Sequence, residues 1–365
     1  MGRGIHTKSP QSGLIYTVGS GQDYSSLANA LADQYFCNDL ILDVTDDRNE
    51  ALSIESGNVG SLTIRGDTRE LAGLSYLHNS AISSSKSDAG VGTITLSNSG
   101  NDLIVAASTT NPDFASDGWG NGDKIRVIDD SGNYSEATVS SVSGNTITLS
   151  TTAPTVGSVG SSVTLVPNKK LYNASGIPIL FTNAELSLTL QGLSIETSGT
   201  ADIFTILVAL GAKLTLENCV VSDLRTSGGF VAVRIEENSV LTATSECSLV
   251  KALATGIETF MGGVAFVNTI FIAKCTGFGI SAWDGALVRT NGAKIAYCER
   301  GVFASNARAY SPATTTVKNN IGFWAGDSGR IQAEGSAALA ASNVTNFSPT
   351  TSNVEGNVDG YIKFN

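Results

Sequence analysis

The sequence is short of charge, histidine, methionine and proline. Only 15% of its 365 residues are charged, against roughly 25% in an average soluble domain. The two histidines, His6 and His78, lie outside the regular repeats of the second half, which argues against imidazole acid–base or metal chemistry there. The five cysteines (Cys37, Cys219, Cys247, Cys275 and Cys298) are odd in number, widely spaced and never arranged as CxxC. That excludes a zinc framework and reads as reduced thiols packed as small hydrophobes. No apolar run approaches the ~20 residues of a membrane helix. Residues 1–13, MGRGIHTKSPQSG, contain no apolar core of a secretory signal, so synthesis in a cytoplasm without membrane insertion is expected. Lysine and arginine number 22 against 33 acids, a net charge of −11. That balance excludes a general nucleic-acid binder, because such binding needs clustered cations to displace counterions.

What is abundant is turn chemistry and apolar residues. Glycine contributes 39 residues, and 41% of the chain is hydrophobic, so a large core with many tight turns is expected. Repeats account for both. IAKC (272–275) returns as IAYC (295–298), and KALATGI (251–257) as KCTGFGI (274–280), both 23 positions on. CERGVFA (298–304) returns as NNIGFWA (319–325) after 21, and SLTLQGLSI (187–195) as KLTLENCVV (213–221) after 26. Within each unit, short alternating runs such as Leu214–Leu216, Val231–Val233, Ala265–Val267 and Ile270–Ile272 read as half-buried strands. No helical stripe links them.

A period near 23 built from short strands describes one turn of a parallel β-helix. A single turn cannot bury its apolar face alone; stacking places equivalent side chains ~4.8 Å apart in ladders. Lys251 is expected near Lys274, Cys275 near Cys298 and Gly256 near Gly279, the glycines marking either positive φ or close backbone approach. Residues 186–345 hold about seven such rungs. LILDV (40–44), LSIES (52–56) and LTIRG (62–66) extend the pattern to the N-terminal part, and LTIRG echoes LTLQG at 188–192. DYSSLANALADQY (23–35) carries Leu27, Leu31 and Tyr35 on one stripe beside Ala28 and Ala32. It predicts a helix, capped by Asp23 or Ser25, that covers the open end of the solenoid.

Between the two repeat regions lie about six alternating runs: TITLS, DLIVAA, DKIRVID, SEATVSSV, NTITLS and SVTLVP. They read as a small inserted antiparallel β-barrel or sandwich, with Trp119 as a rim aromatic. The expected organisation is an arm (1–13), a helix with the first rungs (14–83), the insertion (84–168), the main solenoid (169–345) and a tail (346–365). The fold class is all-β: a right-handed parallel β-helix with an N-terminal capping helix and that insertion.

IYTVGSGQDYSSLANALA followed by LTIRGD, and then rungs of the LTLxxCxI type, resemble the right-handed β-helix superfamily of pectate lyases and phage tailspikes. The resemblance covers 14–83 and 170–345. It implies the fold; a superfamily that hosts lyases, hydrolases, isomerases and virion proteins leaves function to the site. Phage members of this kind are commonly homotrimers, with the flat faces of three solenoids packed together.

The catalytic inventory is thin. At a 23-residue offset Glu236 maps to Thr259, Glu258 to Ser281 and Asp284 to Ala307, so no carboxylate ladder for calcium emerges. Asp223 and Glu246 coincide at that offset and read as exposed charges. Glu236 and Glu237 are neighbours, so one faces inward or both sit in a turn. No catalytic, cofactor or metal residue is therefore assigned. The densest patch, Trp283, Asp284, Arg289, Tyr297, Glu299 and Arg300, combines aromatic and charged groups as a glycan groove does; its bland reading is a solvated outer face. The expected function is a non-enzymatic virion protein of a tailed phage: a surface-exposed homotrimeric capsid decoration or tail spike or fibre component. It would contact other virion proteins, with host surface polysaccharide as a candidate ligand. The alternatives are a polysaccharide depolymerase (lyase or glycoside hydrolase) and a bacterial surface adhesin.

Overall fold

A computed structural model of the chain describes residues 13–34, 39–55, 60–66, 75–78, 93–97, 103–106, 115, 120–122, 124–128, 134–144, 146–150, 162–166, 169–173, 177–197, 204–223, 231–244, 247–250, 254–268, 270–273, 275–317, 319–333, 340–341, 343–348 and 361–363. Three parallel sheets, of 11, 9 and 9 strands, share one interior. The chain visits them in rotation, as in the turn from Lys213–Glu217 on the first face to Val220–Asp223 on the second and Val231–Ile235 on the third. The fold is the expected parallel β-helix.

The alternation seen in sequence is the cause. In Leu186–Gln191, the leucines 186, 188 and 190 are buried while Ser187 is exposed, because successive strand residues point to opposite sides. In-register pairing turns this into ladders. Leu40, Leu62, Leu188, Leu214, Leu241, Ala265, Val288, Ala309, Ile331 and Ile362 stack in one column, and every member is buried. Each buried leucine or isoleucine removed from water contributes about 1.5–3 kcal/mol. The aligned repeats pair as read: Ile257 with Ile280, Ile272 with Ile295, and Val302 with Phe323. Seven first-face strands run from Leu186–Gln191 to Arg330–Gln332.

Two corners explain the residues that punctuate the repeat. A column of glycines (256, 279, 301 and 322) stands at the start of the third-face strands. A Cβ on Gly256 would meet the Gly279 carbonyl oxygen at 2.7 Å, and one on Gly301 that of Gly322 at 2.4 Å. Close approach, rather than positive φ, requires glycine there. Cys275, Cys298, Asn319 and Asn343 occupy successive turns between the second and third faces. Cys275 and Cys298 are buried. The Cys298 N–H donates to Asn319 Oδ1 at 2.8 Å and the Asn319 N–H to Asn343 Oδ1 at 2.9 Å, so the asparagines satisfy backbone groups of the preceding turn. Lys251 and Lys274 lie outside the described residues.

Three features differ in detail from expectation. The helix spans Leu27–Asp33 and its N-cap is Ser26, whose side chain accepts from the Asn29 N–H. Asp23 instead accepts from the Thr17 N–H and hydroxyl, both at 2.8 Å, and these bonds hold its carboxyl below the usual range. Leu27, Ala30 and Leu31 join the core, whereas Ala28 and Ala32 are exposed; Tyr35 is outside the described residues.

The inserted unit is a closed seven-stranded barrel. It recruits Ser75–His78, ahead of the expected start at 84, and this strand pairs with Thr93–Ser97 in parallel within an otherwise antiparallel ring. Trp119 is outside the described residues. The solenoid closes over the insertion, since Leu62 pairs directly with Leu188.

The third lies in the tail, expected as a segment apart from the main solenoid (169–345): Tyr361–Lys363 pairs with Arg330–Gln332, and Ile362 is buried in the shared core.

Candidate functional site

The outward positions are where function must lie, because the inward ones fill the core. The six residues singled out in sequence do not form one patch. Trp283 ends the third-face strand Phe278–Trp283 and Arg300 opens the next, Arg300–Ser305. Arg289 projects from the first-face strand Leu287–Asn291, with its guanidinium 5.4 Å from the Tyr310 ring. Asp284 has φ 46° and sits in the corner from the third face to the first. There a left-handed residue recurs at Leu210, Glu237, Met261, Asp284, Asn306 and Asp327, so Asp284 is a turn residue. Tyr297, φ 57°, lies at the opposite corner, between the second and third faces. Glu299 pairs with Arg300 at 3.3 Å. Glu299 and Arg300 thus pair, and Trp283 is linked to Arg300 only through the Phe278 ring beside both; Asp284, Arg289 and Tyr297 lie in other corners or on another face.

Around Trp283 and Arg300 the third face carries an aromatic cluster. Phe303 lies 4.6 Å from Trp283 and 4.7 Å from both Phe278 and Trp324, centroid to centroid. The Arg300 guanidinium stands 4.0 Å from the Trp324 centroid and 5.0 Å from that of Phe278. Its Nε has no hydrogen-bond partner among the described residues, and the ring faces supply the attraction that water would otherwise give. Three rungs before Arg300 the same chemistry repeats: Arg234 lies over Phe204 and Phe260, bonds Glu236 at 2.8 Å and pairs with Glu258. Glu236 follows a strand and Glu237 is in the turn. The rung offset there is 24, so Glu236 aligns with Phe260 rather than Thr259; likewise Asp284 aligns with Asn306 rather than Ala307.

The first face is different near its C-terminal end. Arg308 and Arg330 pair in register, both exposed, and line two adjoining clefts of about 440 and 460 Å³. Tyr310, Gln332, Lys363 and Leu287 line the first cleft, and Asn306 and Ser328 the second. Among the described residues no carboxylate lines either one. Sequence reasoning missed this cleft, as it missed Phe278, Phe303 and Trp324. The alignment of CERGVFA with NNIGFWA already sets Phe303 against Trp324, and Arg308 and Arg330 are 22 positions apart; both signals come only from aligning outward positions. Glu246 and the Asp223 side chain lie outside what is described. Among the described residues no group of three potential metal ligands converges, and no helix is long and apolar enough to cross a membrane.

No family model matches the chain. No curated protein matches it either. Solved structures of similar fold include the tailspike gp49 of Pseudomonas phage LKA1, at 13% identity and a TM-score of 0.19, over 80% of this chain and 62% of that one. The gp54 tailspike of Acinetobacter baumannii phage AP22, solved with capsular saccharide, matches at 9% identity and a TM-score of 0.18, over 92% and 65%. The gp61 tailspike of Pseudomonas phage phi297 matches at 8% and 0.17, over 85% and 76%. The chain thus spans less than two thirds of the first two.

Proposed function

We propose that the chain is a non-enzymatic structural component of a tailed-phage virion, a rod assembled as a homotrimer through its third face and contacting host-surface glycan with its first. The aromatic, internally neutralised third face carries this reading. Each arginine on it, Arg234 and Arg300, is capped by rings and matched by glutamates. Such a face loses little on leaving water, and aromatic residues with ring-stacked arginines are the groups enriched in the cores of protein interfaces. A repeating face meets identical faces around a three-fold axis with the same contacts on every copy. The carboxylates beside the cluster are ion-pair partners, which suits a structural role.

Multi-angle light scattering tests the assembly. The expected mass is about three times the 37.6 kDa chain; a monomer over a wide concentration range would overturn the trimer. The non-enzymatic part is tested by incubating the protein with acidic polysaccharides and reading new reducing ends and unsaturated uronate absorbance. No turnover is expected, and turnover lost in Glu299→Ala or Arg300→Ala would make the chain a depolymerase.

A further inference from the structure

We infer that Cys219 with Cys247, and Cys275 with Cys298, form two latent disulfide sites, each joining successive turns of the solenoid. The bridges stay open in a reducing compartment and close in an oxidising one. The inference is independent of the reading above, because it concerns the interior of the solenoid and neither the third face nor the first.

Rung register brings the thiols together. Cys219 stands immediately before Val220 and Cys247 immediately before Ser248, and Val220 pairs with Ser248. Cys275 stands two places after Ala273 and Cys298 two places after Ala296, and these alanines pair as well. Each cysteine therefore has its partner at the equivalent position of the next turn, about one strand spacing away, ~4.8 Å. The turn glycines agree for the second pair. A Cβ on Gly256 would stand 3.2 Å from Cys275 Sγ, and one on Gly279 would stand 3.5 Å from Cys298 Sγ. The two thiols thus occupy the same place on their respective turns. All four cysteines are buried, and none is in a disulfide.

Spacing then selects the pairs. A disulfide needs Cα atoms roughly 4.4–6.8 Å apart, which one rung step provides, and the Cβ atoms need lean together by less than about 1 Å. The middle two cysteines cannot join. Cys247 precedes the second-face strand Ser248–Val250, whereas Cys275 follows Phe271–Ala273. They lie at opposite ends of that face, separated by more than ~10 Å of strand, beyond the ~7 Å that a bridge can span.

Burial sets the conditions. Cys219 Sγ donates to the carbonyl oxygens of Leu190 and Glu217, both at 3.3 Å, and Cys298 Sγ to that of Ala296 at 3.4 Å. Burial first, and then Cys247 beside it, push the Cys219 thiol above its ordinary range. A protonated thiol is a poor nucleophile, so the closed solenoid protects the pairs, and reaction waits on local opening of a corner. The step is thiol–disulfide exchange. One thiolate of a pair attacks a sulfur of a low-molecular-weight disulfide, oxidised glutathione, forming a mixed disulfide and releasing one glutathione thiolate. The partner thiolate attacks the protein sulfur of that mixed disulfide and releases the second. Two electrons and two protons leave the pair in two molecules of reduced glutathione. A reducing cytosol holds the exchange back, and an oxidising medium completes it.

Peptide mapping by mass spectrometry on the full chain tests this. The reduced protein is held in oxidised glutathione at about pH 8, near the ordinary thiol range, and at a urea concentration below its unfolding transition, then alkylated and digested. The peptides carrying Cys219 and Cys247 are expected joined, and likewise those carrying Cys275 and Cys298, each joined pair about 2 Da lighter than its reduced parts. Cys219→Ser should leave Cys247 reduced and the other bridge intact, and Cys275→Ser the converse. The oxidised wild type should unfold at a higher urea concentration than the same sample after reduction, because each bridge restricts the unfolded chain. Four thiols still reduced, a Cys247–Cys275 or intermolecular bridge, glutathione adducts on these four cysteines in place of bridges, or a midpoint not raised by oxidation would each overturn the assignment. The map of the wild type decides the pairing even where a serine variant fails to fold.

Discussion

The third and first faces are built on the same ladders and differ only outside the core. On the third face Arg234 has two glutamates and two rings, and Arg300 has one glutamate and two rings. On the first face Arg308 and Arg330 have each other. The same residue type is therefore a structural element in one place and a stored electrostatic cost in the other. A β-helix permits this because its stability resides in inward columns, leaving outward ones free to vary. The teaching is that the neighbours of an outward charge, not its presence, separate an internally neutralised face from one left with unpaired charge.

The comparison breaks most sharply at Phe303, which is 3% exposed although it points away from the core. Phe303→Ala removes the ring that Trp283, Phe278 and Trp324 all touch. An expected loss of about 3 kcal/mol should appear as a lower urea midpoint, together with dissociation in light scattering. If Phe303→Ala keeps both the wild-type midpoint and the assembled mass, the third face is not the packed surface described. Arg234→Ala comes next. It strands Glu236 and Glu258, whose side chains are only 22% and 17% exposed, and should cost about 1–2 kcal/mol. A neutral result would erase the distinction between paired and unpaired arginines.

Much of the solenoid was legible because inward positions tolerate little variety. A buried column accepts only apolar or small residues, so Leu62 and Leu188 remain recognisable as partners across the whole insertion. Gly256 and Gly279 were legible for a related reason, as the next carbonyl leaves no room for a Cβ. Short or locally ambiguous segments were not. Ser75–His78 is four residues long, and Tyr361–Lys363 offers a single inward residue, Ile362, amid a polar tail. Asp23 looked like a helix cap and was claimed by Thr17, leaving the cap to Ser26. The candidate site was hardest, since outward residues answer to partners outside the chain rather than to its core. Reading Trp283 to Arg300 as a linear patch merged two faces, because 17 positions of chain pass around most of a turn.

Arg330→Gln offers the finest test, with an effect of opposite sign to the others. Removing one of two facing cations relieves repulsion of about 0.2–1 kcal/mol, and no carboxylate loses a partner among the described residues. The variant should therefore unfold at a slightly higher urea concentration than the wild type in low salt. The gain should shrink at 1 M salt, where the screening length falls to about 3 Å. If Arg330→Gln instead lowers stability by as much as Arg234→Ala, then Arg330 is a structural arginine like those of the third face, and the contrast between the two faces disappears.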